Sequence, residues 1–344
     1  MKVMFGTFSA ASILGGGVAV QTTALAHELR KLGVEVELFD PWRRYELQRY
    51  DIFHLFAAHV GTYHLGRAVK TLGLKLAVSP TVFSRHSPRT VAAMLAVSKL
   101  LRRRGGLWTE HMFCQELCDM ADLVLPNTQA EANFVRGAFG VPSFKIRVIH
   151  NGVDPRFADS KPDAFVDKYG ISDFLLYVGH IGWGRKNVAS LLSSIADLRF
   201  QTALVGKLID NEYGRRCAEL IRANERVLHV PELPAESGLL ESAYAAARAL
   251  VLPSQYETPG LAALEAALAG ANVCITKHGG TIEYFGDYAT YLDPASERSI
   301  RRAVAAAMTK PKGEELRNRI VSNFLWEEAA RELLAAYREL GGAR

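Results

Sequence analysis

Two carboxylates, Glu257 and Glu265, stand in a stretch, YETPGLAALEAALAG, that is otherwise almost entirely Ala, Leu, Gly, Pro and Thr. The run before it, RALVLPS, reads as a strand, and Thr258 and Pro259 predict an N-cap and a first helical position, so a helix should begin near Gly260. At about 100° per residue, Leu261, Leu264 and Leu268 fall within one arc and Glu265 borders it. The other helix positions are Ala, which predicts a helix buried all round, and a carboxylate inside it needs a partner. That partner is either a Lys or Arg of the protein or the hydroxyls of a ligand. Glu257 lies just outside the helix start, where the amides of Gly260 and Leu261 lack acceptors and the dipole is positive. It either stabilises the helix end or marks a ligand site, because open α/β sheets bind ligands at the carboxyl ends of their strands. Gly260 has no Cβ, so a phosphate or sugar could approach those amides closely.

Near the amino end, Gly15, Gly16 and Gly17 open a second predicted helix, a form suited to phosphate or to a closely approaching substrate. A dinucleotide site is the rival reading, with Asp40 at the end of the second strand as the ribose-binding acid of an NAD-type oxidoreductase. Several residues separate the first strand from these glycines, whereas the dinucleotide fingerprint turns at once. His111, Cys114 and Cys118 could share a helix face as zinc ligands, but a fourth is missing from the neighbourhood, so no metal is expected.

A chain of 344 residues points to roughly two domains. Strands such as VEVELFD, YDIFHLF and LKLAVSP alternate with helical segments, and a second alternation begins near Asp173, so the expected class is α/β with parallel sheets covered on both faces. KIRVIHNGVDPRF, with its Asn-Gly and Asp-Pro pairs, reads as an interdomain link. The final helix carries Trp326, Ala329, Leu333, Tyr337 and Leu340 on one stripe and must pack on something. Lys and Arg total 41 against 36 Asp and Glu, an excess of +5 that suits phosphate-bearing ligands and is too small to argue for nucleic acid. Four irregularly spaced cysteines suggest a reducing compartment, and in the amino-terminal MKVMFGTFSAASILGGGVAVQ the residues Lys2 to Phe8 read as a buried strand rather than part of a signal peptide. No run of about 20 apolar residues is present to span a membrane.

The Glu-x7-Glu segment together with GGTIEYFGDYATYLDP, the Gly15–Gly17 triplet, VIHNGVD, YVGHIGWGRKN and the closing Trp326 helix resembles glycosyltransferase family 4, with the GT-B fold. The resemblance implies two Rossmann-like doubly wound domains facing a cleft, an acceptor-side domain at 1–158, a nucleotide-sugar donor domain at 159–323, and a helix at 324–344 packing back on the first. It implies that Glu257 contacts the donor sugar, that Glu265 holds the ribose, and that Arg185 and Lys186 hold the diphosphate ahead of Asn187 as an N-cap. Read by itself, that basic pair is equally an ordinary solvated loop. The family often has a His in the first domain that reaches the donor; this chain lacks it there, and His86 is the nearest, with His54 the first of a two-His pattern whose second place is Phe56.

The implied activity is retaining, metal-independent transfer of a hexose from a nucleotide-diphosphate sugar, with no cofactor, to a glycan or lipid-linked acceptor in polysaccharide or lipopolysaccharide synthesis. The alternatives are the NAD-type oxidoreductase and a non-catalytic sugar-nucleotide binder. Lys99, Arg102, Arg103 and Arg104, followed by Leu107, Trp108 and Phe113, either touch anionic lipid heads or form a solvated helix end, and the expected location is cytoplasmic, with the inner membrane face as a contact.

Overall fold

The computed structural model describes residues 1–105, 108–231, 233 and 237–342, apart from the side chains of Leu14, Arg103 and Arg104. The chain divides into two compact units, Met1–Gly152 with Trp326–Arg344, and Val153–Leu325. Each unit is built on its own parallel sheet and has its own apolar core.

The first sheet contains β1 (Lys2–Gly6), β2 (Glu35–Leu38), β3 (Ile52–Phe56), β4 (Lys75–Ser79) and β5 (Leu123–Val124), in the order β2-β1-β3-β4-β5. Central strands such as IFHLF in β3 are buried along their whole length, because helices cover both faces and leave no side for solvent. The strand order reverses between β1 and β3, so the loops leaving these two strands emerge side by side. The helix Gly17–Lys31 packs against the helix Trp326–Gly342, whose stripe of Trp326, Ala329, Leu333 and Tyr337 is buried.

Beneath that helix, His54 in β3 is buried between two hydroxyls, with Tyr337 at 2.6 Å from Nδ1 and Ser79 at 2.9 Å from Nε2. Burial lowers its pKa to about 3, so the ring is neutral and both nitrogens are occupied. His54 is a packing residue.

The second sheet contains β6 (Leu175–Val178), β7 (Thr202–Val205), β8 (Val227–Val230), β9 (Ala249–Leu252), β10 (Asn272–Thr276) and β11 (Thr290–Leu292), in the order β11-β10-β9-β6-β7-β8. This is the doubly wound dinucleotide-fold order, and its switch point falls between β6 and β9, which pair through Leu175 with Ala249 and Leu176 with Leu250. The two ends of this unit meet: Val153 forms a parallel bridge with Leu325, and its amide donates to the Phe324 carbonyl at 2.9 Å.

Among the described residues, no helix is long and apolar enough to cross a membrane, and no group of three His, Cys, Asp or Glu side chains could hold a metal ion. Cys114 and Cys118 are buried.

Tyr337→Phe leaves one nitrogen of the buried His54 without its partner and is expected to destabilise the protein by about 1–3 kcal/mol. Urea melts followed by circular dichroism check this, and an unchanged midpoint would show that the pair carries no stability.

Candidate functional site

The loops leaving β6 and β9 are the two that the second sheet's switch point makes neighbours, and they carry Arg185 and Lys186 on one side and Glu257 on the other. The Gln255 amide donates to the Arg185 carbonyl at 2.9 Å, and Arg185 Nη1 donates to the Tyr256 carbonyl at 3.2 Å. The Arg185 guanidinium also lies over the Tyr256 ring, 5.0 Å from its centroid. Lys186 Nζ donates to Glu257 Oε1 at 2.6 Å, with Arg185 Nη1 at 3.9 Å from the same oxygen. Arg185, Lys186 and Glu257 are thus brought together.

Glu257 is only 7% exposed. Burial alone pushes its pKa up, but Lys186 and Arg185 outweigh that effect and hold the carboxyl below the usual carboxylate range. Its backbone is fixed from the next loop: its amide donates to the His278 carbonyl at 3.1 Å and its carbonyl accepts from the Gly280 amide at 3.0 Å. A Cβ at Gly279, where φ is +100°, would sit 2.0 Å from the Glu257 carbonyl oxygen, so only glycine permits this approach.

The helix after Glu257 begins beside Gly260 as the sequence suggests, but Thr258 is not its cap and Pro259 is not its first residue. It spans Leu261–Leu268, its N-cap is Gly260 at φ +85°, and no side chain among the described residues caps it; Thr258 precedes a cis peptide bond to Pro259. The left-handed backbone at Gly260 re-aims the chain and takes the cap position from Thr258. Leu264 and Leu268 are buried as expected, but Leu261, Ala262 and Glu265 are half-buried, so the helix is not enclosed all round. Asn187 also departs from the expected cap. It adopts φ +58°, a conformation Asn tolerates, and its side-chain amide donates to the carbonyls of Pro253 at 3.2 Å and Pro294 at 2.8 Å instead of capping the helix Val188–Ser194.

Glu265 is held separately. The hydroxyl of Tyr244, a fully buried residue of the helix Leu239–Ala246, donates to Glu265 Oε2 at 2.6 Å. Burial raises the Glu265 pKa, and the Tyr244 hydrogen bond and the nearby Arg156 work against that rise. Sequence reasoning missed Tyr244, although a Tyr in a helix of small residues signals a hydroxyl in need of a partner.

In the first unit, Gly15, Gly16 and Gly17 are exposed, and Gly16 (φ +93°) is the N-cap of Gly17–Lys31, with open space where a Cβ would stand at Gly15 or Gly16. The loop from β1 to these glycines contains the short helix Ala11–Leu14. Asp40 Oδ1 is engaged in a local turn, accepting from the Trp42 amide at 2.9 Å. His86 is exposed, in the loop between β4 and the helix Pro88–Gly105. His59, which the sequence did not single out, follows β3 at this sheet's switch point; its Nδ1 accepts from the Gly61 amide at 2.9 Å and its ring lies 5.1 Å from that of Phe8. On the helix Pro88–Gly105, Lys99 is exposed, while Arg102 pairs with Glu116 and lies 4.3 Å over the Trp108 ring. The side chains of Arg103 and Arg104, and Leu107, lie outside the described residues.

Residues 163–324 match the family described as Glycosyl transferases group 1, and residues 41–157 match Glycosyltransferase Family 4. D-inositol 3-phosphate glycosyltransferase of Actinosynnema mirum is 27% identical over 316 residues, covering 86% of this chain and 73% of that protein. Other curated relatives are matched over only 50% to 58% of their own length. Among solved structures, sucrose-phosphate synthase from Thermosynechococcus elongatus superposes with a TM-score of 0.78 at 19% identity, covering 100% of both chains. HepE of Anabaena, solved in complex with UDP, superposes with a TM-score of 0.71 at 16% identity, covering 98% of this chain and 100% of that one. Two Rossmann-like units with these likenesses define the class, a glycosyltransferase of GT-B type. The chain belongs to glycosyltransferase family 4.

Because the folded pKa of Glu257 is lowered, its pairing adds stability that is present above the ordinary carboxylate value, about 4.3, and is lost as pH falls through the lower folded value. Lys186→Met is therefore expected to cost about 1–3 kcal/mol at neutral pH. Thermal melts across a pH series should show the gap to wild type closing below about pH 4; a gap that stays constant would mean Lys186 does not hold Glu257 ionised.

Proposed function

We propose that this chain is a retaining, metal-independent glycosyltransferase that moves a hexose from a nucleotide-diphosphate sugar to a hydroxyl of a glycan or lipid-linked saccharide. The observation that carries this reading is the buried, ionised Glu257 beside Lys186 and Arg185 at the switch point of the second sheet. A charged acceptor and two cations at the ends of two neighbouring strands suit a ligand that is a sugar on one side and a diphosphate on the other.

Glu257 accepts hydroxyls of the sugar and orients it. Arg185, Lys186 and the helix start at Gly260 and Leu261 take up the charge that develops on the departing diphosphate, the step where fixed positive groups lower the barrier most. The leaving phosphate assists deprotonation of the acceptor on the same face of the sugar, which keeps the anomeric configuration. Glu265 accepts the ribose hydroxyls. Gly15, Gly16 and Gly17, on the first unit, offer open helix-start amides to substrate, and His86 is assigned no chemical step. UDP, bound by the fold relative HepE, is the first donor nucleotide to try.

We also place the protein at the cytoplasmic face of a membrane, in assembly of a cell-surface polysaccharide or lipopolysaccharide. The helix Pro88–Gly105 supports this: it has no acidic residue, carries Lys99 and Arg102 with Arg103 and Arg104 in sequence, and exposes Met94, Val97, Leu100 and Leu101. Basic charge beside exposed apolar side chains fits an anionic lipid surface.

A thermal-shift panel of UDP, GDP, ADP, dTDP and NAD tests the donor site. One nucleoside diphosphate at 100 times its Kd should add about 2.7 kcal/mol to wild type, and with the matching sugar donor Lys186→Met should lower kcat by about 10²–10³. A response to NAD alone would overturn the reading, and binding without turnover would make the chain a non-catalytic binder. For the membrane, Val97→Glu with Leu101→Glu should lose co-sedimentation with phosphatidylglycerol vesicles at low salt; wild type that does not sediment would sink that assignment.

A further inference from the structure

Glu265 has two carboxylate oxygens, and the protein claims one of them. Oε2 takes the Tyr244 hydroxyl at 2.6 Å, while Oε1 has no hydrogen-bond partner among the described residues. Tyr244 is fully buried, with its ring edge-on to Phe157 at 5.7 Å between centroids, so its hydroxyl has little freedom to leave. A half-buried carboxylate free to rotate about its own bond would present its oxygens in many orientations; one pinned by a short hydrogen bond from a rigid donor presents a single oxygen. We propose that Tyr244 is a positioning residue for donor binding, fixing Glu265 through Oε2 so that Oε1 meets the ribose hydroxyls of the nucleotide. This inference rests on the ribose role of Glu265 proposed above.

The electrostatic surroundings give it a signature. Burial raises the Glu265 pKa, and Tyr244 and then Arg156 oppose the rise, while Glu241 and Asp154 reinforce it. These groups come from the helix Leu239–Ala246, from the turn Pro155–Asp159 and from Asp154 just before it. Arg156 is shared, lying 3.3 Å from Glu241, so it cannot replace the Tyr244 donor fully. Without the tyrosine hydroxyl the carboxyl protonates at higher pH, and a protonated carboxyl accepts two ribose hydroxyls poorly.

The test is calorimetric titration of the intact protein with UDP, GDP, ADP and dTDP, and then with the 2′,3′-dideoxy form of whichever binds. Wild type, Tyr244→Phe and Glu265→Ala are compared from pH 5.5 to 8. Tyr244→Phe keeps the buried ring, and a Tm near that of wild type checks its fold. It is expected to weaken the ribonucleotide roughly fivefold at neutral pH, the scale of one hydrogen bond, with the deficit growing as pH falls and vanishing for the dideoxy form. Equal weakening of both forms would make Tyr244 merely structural, and wild-type affinity at every pH would also overturn the inference; in both cases weakening by Glu265→Ala would leave the ribose reading standing. If Glu265→Ala binds the ribonucleotide as tightly as wild type, the ribose reading itself fails.

Discussion

A carboxylate taken out of water stays charged only beside a cation, and Glu257 meets that condition through Lys186, a residue 71 positions earlier in the chain. No local feature could deliver that lysine. It arrives because the parallel sheet reverses its strand order between β6 and β9, which makes the loops after these strands neighbours. The contacts of Gln255 with Arg185 and of Asn187 with Pro253 follow from the same adjacency, and that of Glu257 with the His278–Gly280 backbone follows from the pairing of β9 with β10. The charged pair is held by main chain on three sides, so it needs little reorganisation to receive a ligand.

The two glutamates illustrate how one residue type acquires two characters. Both are pushed by burial towards the neutral form. Cations return Glu257 to the charged form and carry its pKa below the ordinary value, whereas Glu265 has a tyrosine hydroxyl and a shared arginine, which only moderate the rise. The first is therefore committed to accepting hydrogen bonds, and the second is sensitive to what reaches it. Environments that drive like groups apart in this way are common where ligands are bound.

The alternation of strands and helices was legible because buried parallel strands are short apolar runs and the helices carry an apolar stripe; IFHLF and the Trp326 stripe are instances. Glu257, Arg185 and Lys186 could be picked out as charges in unusual company, but their meeting could not, since it depends on strand order. Local rules also failed at two caps. Thr258 lost its place to a left-handed Gly260, and the Asn187 side chain was drawn to carbonyls of two other loops. The first is a backbone conformation and the second a set of tertiary contacts, and each overrides a side-chain preference worth about 1 kcal/mol. The Tyr244–Glu265 pair was invisible for a related reason: neither its distance nor its direction leaves a periodic trace.

The second unit enters and leaves the first at adjoining points, Val153 and Leu325, so it is a closed insertion in the chain of its neighbour. During synthesis the order of completion is therefore inverted. The strand bearing His54 emerges early, but the tyrosine that seals it comes 283 residues later, after the whole inserted unit. At about 5–20 residues per second that interval is roughly 15–60 s, during which the seat of the last helix on the first unit lies open. The unit that begins first is finished last, and until its final helix is made the apolar seat of that helix faces water.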